Sequence, residues 1–216
     1  MANYIFFHIY CNKNTFRILT DMINKIIYSN LYHSVDKIYT FLTGEIEYIN
    51  QCINYIINCG KKFDITEIGI NDNTAERFTL LKMKYYLKDE DKFLYIHSKG
   101  VIRPVEHEMT CYINDWRYLM EYFLITKFEL CLKELDNYDV VGVNYLNHFS
   151  GNFWWSKGVY FKTLQNFIED YYTAPEDYIF KTTVGTPKIK CLHSSGLEGF
   201  GHYYNGYPWC KYIDNN

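Results

Sequence analysis

The chain has 216 residues, with 22 Lys and Arg against 25 Asp and Glu and a formal net charge of −3. Because no basic block interrupts this balance, the sequence gives no support to a nucleic-acid partner bound through its phosphates. No apolar run approaches the ~20 residues that a membrane-spanning helix needs, so we expect no membrane span. Seven cysteines without a Cys-x-x-Cys pair argue against a zinc knuckle and indicate reduced thiols in a cytoplasmic protein.

Strand-like and helix-like segments alternate along the chain, which predicts an α/β fold with a mainly parallel central sheet and helices on both faces. The predicted strands are 4–10, 37–42, 65–70, 93–96 and 139–143. The predicted helices are 15–28, 46–59, 74–87, 112–135, 158–170 and 175–182. No linker divides 1–216, so we expect one domain. The pattern has no clear stop at the C-terminus, which is also compatible with a domain excised from a longer enzyme.

Polar residues follow four of the predicted strands, where ligands of such sheets collect. These strand ends are Thr43-Gly44, Asn71-Asp72-Asn73, His97-Ser98-Lys99-Gly100 and 144–152. Lys99 and Ser98 could contact a diphosphate, and Gly100 allows close backbone approach. Arg77, which opens the preceding helix, could bind a phosphate bidentately. Each stretch taken alone is also typical of a turn.

The aromatic loop 148–157 follows the predicted strand 139–143. Its polar side chains include His148, Ser150 and Asn152, its indoles are Trp154 and Trp155, and Gly151 lies between them. Flat rings cover the C–H faces of a pyranose, while amide, hydroxyl and imidazole groups satisfy its hydroxyls, so we expect a sugar site here. One indole could instead anchor the core. We do not expect both to be buried, because neighbours on a strand face opposite sides.

Five motifs in order extend over most of the chain. They are Tyr95-Ile96-His97-Ser98-Lys99-Gly100-Val101, Asn114-Asp115-Trp116-Arg117, Tyr138-Asp139-Val140-Val141-Gly142-Val143-Asn144, His148-Phe149-Ser150-Gly151-Asn152-Phe153-Trp154-Trp155 and Ala174-Pro175-Glu176-Asp177-Tyr178-Ile179. The series resembles a small GT-A-type glycosyltransferase family of bacteria and large DNA viruses, which includes the N-terminal transferase domain of chlorovirus capsid-glycan enzymes.

The resemblance implies a GT-A-like, Rossmann-related fold and a nucleotide-diphosphate sugar donor, with UDP as the first candidate. It implies a glycan or glycoprotein acceptor, which in the viral members is the major capsid protein and would place the reaction in the host cytoplasm. About 1–100 would bind the donor and about 101–216 the acceptor. Around the nucleotide and diphosphate we expect Thr43, Gly44, Asn71, Asp72, Asn73, Arg77, His97, Ser98 and Lys99. Around the donor sugar and acceptor we expect Trp116, Arg117, His148, Ser150, Gly151, Asn152, Trp154 and Trp155.

The sequence departs from the wider GT-A pattern at the expected metal site, because no Asp-x-Asp follows the predicted strand 93–96. The acidic run at 89–91 precedes that strand and is typical of a solvated turn. Two alternatives stay open. Lys99, assisted by Arg77, could take over part of the cation's role. Otherwise His97, an acid from elsewhere and a tail histidine (His193 or His202) would hold Mn²⁺ or Mg²⁺, which the resemblance favours.

An inverting transferase needs a carboxylate that deprotonates the acceptor hydroxyl. Glu176-Asp177 follows Pro175 at a predicted helix start, and the resemblance makes Asp177 the first candidate base and Glu176 the second. Acids there are equally typical of a helix first turn, and a retaining enzyme would not need this base.

Two further hypotheses concern the chain as a whole. A non-catalytic sugar- or nucleotide-sugar-binding module is the alternative to a transferase; the missing Asp-x-Asp favours it and Glu176-Asp177 disfavours it. The Gly-rich tail 191–202, with glycines at 196, 199 and 201, would order over the bound donor.

Overall fold

The computed structural model describes residues 1–197 and 200–213, and it is built around a twisted, mostly parallel sheet. The strands are β1 (Asn3–Cys11), β2 (Lys37–Gly44), β3 (Phe63–Ile70), β4 (Lys92–His97), β5 (Val140–Gly142), β6 (Trp154–Lys157) and β7 (Ile189–Cys191). They form one sheet in the order β3-β2-β1-β4-β6-β5-β7. All neighbours pair in parallel except β6, which is antiparallel to both β4 and β5. The predicted α/β fold with a mainly parallel sheet is confirmed.

Helices cover both faces of this sheet. They are α1 (Thr15–Tyr28), α2 (Leu31–Ser34), α3 (Ile46–Cys59), α4 (Arg77–Leu80), α5 (Thr110–Glu121), α6 (Phe128–Glu134), α7 (Gly158–Phe161), α8 (Ala174–Tyr178) and α9 (Gly201–Tyr204). Side chains of α1, α3, α5 and α6 pack in the core on one face, and those of α4, α7 and α8 pack in the core on the other. Within the described ranges, no helix is both long and apolar enough to cross a membrane.

Three predicted helices are interrupted. The segment 74–87 contains only α4 and a 3₁₀ turn at Met83–Tyr86, and the segment 158–170 is helical only in α7. The segment 112–135 is divided by a π-helical turn, Tyr122–Thr126. There the indole Nε1 of Trp155 donates a hydrogen bond to the carbonyl of Leu124 at 2.8 Å. A side chain that competes for a helix carbonyl is a known cause of such interruptions.

The most consequential difference is β6, because the sequence predicted a loop where the structure has a central strand. Trp154 and Trp155 lie on this strand and both are fully buried. They do point to opposite faces, but each face is covered, so Trp155 packs in one core and Trp154 in the other. The expectation that the two indoles would not both be buried was therefore wrong.

The connection between β5 and β6 turns through left-handed backbone at Asn144, Gly151 and Asn152, with φ values of 51°, 92° and 56°. At Gly151 a Cβ atom would lie 2.6 Å from the sulfur of Met120, so only glycine fits without displacement. This connection carries His148 and Ser150 to the carboxyl edge of β1 and β4, where the cavities described next are found.

Candidate functional site

Two adjoining cavities lie at the carboxyl edge of the sheet. The larger, of about 500 Å³, is here called the cationic cleft, and its walls are His8, Tyr10, Asn12, Asn73, Ala75, Glu76, Arg77, His97, Ser98, Lys99, Gly100, Val101, Ile102, Arg103, Ile113, Tyr172, Pro175, Glu176 and Tyr203. The smaller, of about 220 Å³, is called the aromatic chamber, and its walls are Trp116, Asn144, Tyr145, Leu146, His148, Ser150, Tyr172, Thr173, Glu176, Ser194, Gly196, Leu197, Phe200 and Tyr203. The two cavities share Tyr172, Glu176 and Tyr203.

Lys99 and Arg103 give the cationic cleft its charge. The Lys99 ammonium lies 3.8 Å from the ring centroid of Trp116, and the Arg103 guanidinium lies 5.0 Å from that of Tyr203. Burial lowers the pKa of Lys99, although the carboxylate of Glu176 opposes this shift. Within the described part of the chain no carboxylate forms an ion pair with the Lys99 ammonium. A buried ammonium with no ion-pair partner is well suited to meet an anion.

Arg77 also lines the cationic cleft, but much of its donor capacity is used within the protein. Its Nε and Nη2 donate to the carbonyl of Glu169, and Nη2 donates to that of Tyr171 at 2.6 Å. Arg77 thus fastens the loop that leads into α8. Free bidentate binding of a phosphate, as expected from the sequence, would require these bonds to be given up.

The floor of the cationic cleft consists of the imidazoles of His8, which is buried, and His97, which is half-buried, together with the half-buried carboxyl group of Glu76. His97 donates from Nε2 to the carbonyl of Gly151 at 3.0 Å, and burial, helped by the charge of Lys99, lowers its pKa to about 3. Burial likewise lowers the pKa of His8 to about 4. Burial raises the pKa of Glu76, which accepts hydrogen bonds from the Tyr95 hydroxyl and the Asn152 amide. The two imidazoles of the floor are therefore neutral at neutral pH.

Glu176 lies where the two cavities meet and is paired with His148. The Nε2 atom of His148 is 3.0 Å from Oε2 of Glu176, and its Nδ1 atom is 3.7 Å from Oδ1 of Asp177. Burial acts to raise the pKa of Glu176, but the hydrogen bond from His148 and the charge of Lys99 outweigh it and hold the pKa below its usual range. The same hydrogen bond raises the pKa of His148.

Asp177, the other predicted base, faces away from both cavities. It does not line either of them, and its Oδ2 atom accepts a 2.6 Å hydrogen bond from the hydroxyl of Tyr171. Of the two adjacent acids, Glu176 is therefore the one that a bound ligand can reach.

The aromatic chamber is walled by packed rings and small polar groups. The ring of Trp116 stacks on that of His202 at 5.0 Å with an interplanar angle of 9°, and its Nε1 donates to the carbonyl of Ser150 at 3.3 Å. Leu146 and Phe200 form an exposed apolar rim. Among the described residues, only Glu176 and His148 bring charge to the walls. The chamber therefore suits a neutral ligand with an apolar face and hydroxyl groups.

For four residues predicted to contact sugar, the structure contradicts the prediction. All four are fully buried away from the cavities, namely Arg117, Asn152, Trp154 and Trp155. Arg117 makes ion pairs with Asp21 at 2.7 Å and with Glu121 at 2.6 Å and so joins α5 to α1. The Asn152 side chain accepts a hydrogen bond from the Trp154 indole at 2.8 Å and donates to Glu76. These residues shape the core under the site.

The predicted nucleotide-binding residues divide into two groups. Asn73, Arg77, His97, Ser98 and Lys99 line the cationic cleft, whereas Thr43, Gly44, Asn71 and Asp72 do not. At Gly44 a Cβ atom would lie 2.3 Å from the carbonyl oxygen of Cys11, so this glycine is needed for strand packing. Asp72 accepts hydrogen bonds from the backbone and hydroxyl of Thr74, as expected of a turn. Among the sugar-site predictions, Trp116, His148 and Ser150 line the aromatic chamber, and Gly151 supports His97.

The tail histidines take part in local hydrogen bonds. His193 shares a 2.9 Å hydrogen bond with the Tyr207 hydroxyl, and Nε2 of His202 contacts Asn144 and Ser195 at 3.1 and 2.9 Å. In 1–197 and 200–213, no three His, Cys, Asp or Glu side chains come together in a way that could hold a metal ion. The described side chains thus do not form a complete metal site, and Mn²⁺ or Mg²⁺ stays a prediction. Gly199, one of the predicted flap hinges, lies outside the described residues.

Sequence reasoning missed several wall residues of the cavities: His8, Tyr10, Asn12, Glu76, Arg103, Tyr172 and Tyr203. A signal was present for Asn12, because it follows the first strand as the predicted polar residues follow the others. Arg103 stands four positions after Lys99 and could have been grouped with it. Tyr172 and Tyr203 had no distinguishing signal in a chain with 23 tyrosines.

The fold and site define a Rossmann-like α/β protein with a cleft at the carboxyl edge of its sheet. The chain belongs to the family described as "Domain of unknown function (DUF8361)", which matches residues 6–207. No curated protein matches the chain. The crystal structure of HddC from Yersinia pseudotuberculosis is similar with a TM-score of 0.50 and 9% identity, over 90% of this chain and 91% of that one, which shows a shared fold. For 4-diphosphocytidyl-2C-methyl-D-erythritol synthase from Anaerococcus prevotii DSM 20548 the TM-score is 0.44 at 10% identity, over 88% and 87% of the two chains.

Proposed function

We propose that the protein is a glycosyltransferase that moves a sugar from a nucleoside-diphosphate donor, UDP being the first candidate, to a hydroxyl of a glycan or glycoprotein. The observation that carries this proposal is the position of Glu176. Its carboxylate stands where a cationic cleft meets an aromatic chamber with few charged groups. A transferase needs this order of groups, with the leaving diphosphate on one side of the sugar and the acceptor on the other.

The cationic cleft supports binding of the donor diphosphate. Lys99 and Arg103 offer charge, and Gly100, with a φ of 95°, allows the backbone to approach closely. The volume of about 500 Å³ lies within the range of small-molecule sites. Because Lys99 is buried, its attraction for the charge that develops on the leaving diphosphate is screened less than it would be in water. A divalent cation that arrives with the diphosphate would add to this charge.

The aromatic chamber supports binding of the acceptor, and Glu176 supports deprotonation of its hydroxyl. The lowered pKa of Glu176 keeps the carboxylate ionised at neutral pH. Attack from the acceptor side, opposite the diphosphate, leads to inversion at the anomeric carbon. We therefore assign the base to Glu176 in preference to Asp177.

The test is a screen of the wild-type protein for release of UDP from UDP-sugars, with oligosaccharides and glycoproteins as acceptors, each with and without Mn²⁺. Acceptor-dependent UDP release is the expected result. Binding of UDP-sugars without turnover on any acceptor would instead support the non-catalytic module. A parallel assay with UTP and sugar phosphates completes the screen, because pyrophosphate release there would point to nucleotidyl transfer. No binding of any nucleotide sugar at millimolar concentration would overturn the proposal.

A further inference from the structure

His148 stands between two carboxylates at the junction of the cavities. Its Nε2 atom faces Glu176 at 3.0 Å and its Nδ1 atom faces Asp177 at 3.7 Å. We propose that His148 is a positioning residue that holds Oε2 of Glu176 and leaves Oε1 to take the proton of the acceptor hydroxyl. This inference rests on the proposed function. We call His148, Glu176 and Asp177 together the His148 clamp.

The geometry argues against His148 as the base. The protonated imidazole donates from Nε2 to Glu176 and attracts Asp177 by charge across 3.7 Å, and it has no lone pair to accept a proton. Oε1 of Glu176, by contrast, has no hydrogen-bond partner among the described residues. In the pair of His148 and Glu176, the atom that can accept a proton is therefore Oε1 of Glu176.

The clamp is supported from behind. The hydroxyl of Tyr171 donates to Oδ2 of Asp177 at 2.6 Å, and Arg77 donates to the backbone carbonyl of Tyr171 at the same distance. Arg77, Tyr171 and Asp177 thus fix the far side of the His148 ring. This arrangement gives Asp177 a role without contact to a ligand: it orients the histidine that orients the base.

The charged groups that face His148 are Glu176 and Asp177 from α8 and Lys99 from the end of β4. The carboxylate of Glu176 raises the pKa of His148 above its ordinary 6.5, against the effects of burial and of Lys99. The pKa of Glu176 lies below its ordinary 4.5. Both partners are charged between these limits. Activity should therefore fall below pH 4.5, as Glu176 is protonated, and fall again above pH 6.5, as the imidazole loses its proton and the clamp weakens.

Two substitutions separate positioning from general structure. In His148→Ala both contacts are lost, and we expect kcat to fall about 30- to 100-fold with the KM of the donor changed less than threefold. In His148→Gln one hydrogen bond to Glu176 is retained without the charge. We expect a smaller loss, of about tenfold, and disappearance of the alkaline limb of the pH profile. His33→Ala is the matched control, because His33 is exposed on α2 and lines neither cavity.

A second readout does not depend on activity. The ring of His148 is titrated by NMR, assigned by its loss in His148→Gln, and its pKa should lie above 6.5 in the wild type and drop in Glu176→Gln. If no transfer is found on any acceptor but this coupling is present, the proposed function fails and the clamp stands. If transfer is found, an unchanged kcat and pH profile in His148→Ala overturn the inference. A His148 pKa that does not respond to Glu176→Gln also overturns it.

Discussion

The cationic cleft and the aromatic chamber meet at Glu176 but are built in different ways. The cleft is made by short turns directly after parallel strands, and it buries an ammonium, Lys99, beside neutral imidazoles. The chamber is made by side chains from separate loops, from the tail and from two helices (Trp116 of α5 and Glu176 of α8), and it exposes apolar groups such as Leu146 and Phe200. Under the proposed function, the buried charge of the cleft faces the anionic donor and the exposed carbon of the chamber faces the acceptor. Four substitutions test this division, and they are taken from the largest expected effect to the smallest.

The largest effect is expected for Arg117→Ala, at a residue that belongs to neither cavity. The substitution leaves Glu121 buried without its partner, which should lower the free energy of unfolding by about 3–5 kcal/mol. Urea unfolding measures this loss. At a temperature where the variant is folded, UDP binding should be unchanged. A stable variant that has lost only sugar binding would restore Arg117 to the site.

Lys99→Ala should weaken binding of UDP and UDP-sugars about 100-fold, because it removes a buried charge that faces the anion. Isothermal titration calorimetry gives the dissociation constants. The matched control is Lys13→Ala, since Lys13 is exposed near the same edge and lines neither cavity. Equal affinities in the two variants would contradict the assignment of the diphosphate to the cationic cleft.

His8→Gln tests the neutral floor of that cleft. The folded-state pKa of His8 is about 4 and its unfolded value is 6.5, so the unfolded chain binds the extra proton first and stability is lost as pH falls below 6.5. Between pH 6.5 and pH 4.5, the free energy of unfolding should fall by about 2 kcal/mol less in the variant than in the wild type. Urea unfolding at the two pH values measures this difference. An unchanged slope would mean that folding does not lower the pKa of His8.

Tyr145→Ala tests the aromatic chamber, and its expected effect is the smallest of the four. Tyr145 lines only the chamber, so the KM of the acceptor should rise about tenfold while UDP affinity stays the same. Steady-state kinetics with varied acceptor measure this change. Tyr28→Ala is the control, because Tyr28 is exposed on α1. A parallel loss of donor affinity would mean that the two cavities bind one ligand together.

Local patterns in the sequence predicted the parallel part of the sheet well. The bounds of α1 and α3 agree with the prediction, and the ends of β1, β2, β3 and β4 differ from it by at most two residues. These elements have clear periodicity and clear polar ends. Three of the polar residues predicted to contact a diphosphate, His97, Ser98 and Lys99, line the cationic cleft, and their contact with a diphosphate stays a prediction.

The second half of the chain depends on partners that are distant in sequence. Nothing local in Trp154 and Trp155 shows that helices cover both faces of β6, or that the carbonyl of Leu124 accepts the Trp155 indole proton. Arg117 likewise looks like a surface or site residue until Asp21, 96 positions earlier, is brought beside it. The preference for Asp177 over Glu176 as the base came from the family resemblance alone. In the structure, His148 fixes the direction of the Glu176 side chain and Tyr171 fixes that of Asp177.

The comparison of Glu176→Gln with Asp177→Asn tests the central claim most directly. Each replaces a carboxylate by an amide of the same shape on the same helix turn. We predict that Glu176→Gln transfers sugar at less than about 1% of the wild-type rate, because a general base contributes about 10²- to 10⁴-fold, while its affinity for UDP stays within about threefold. Asp177→Asn should keep more than about a tenth of the rate. Full activity in Glu176→Gln, or the reverse order of the two variants, would contradict the account.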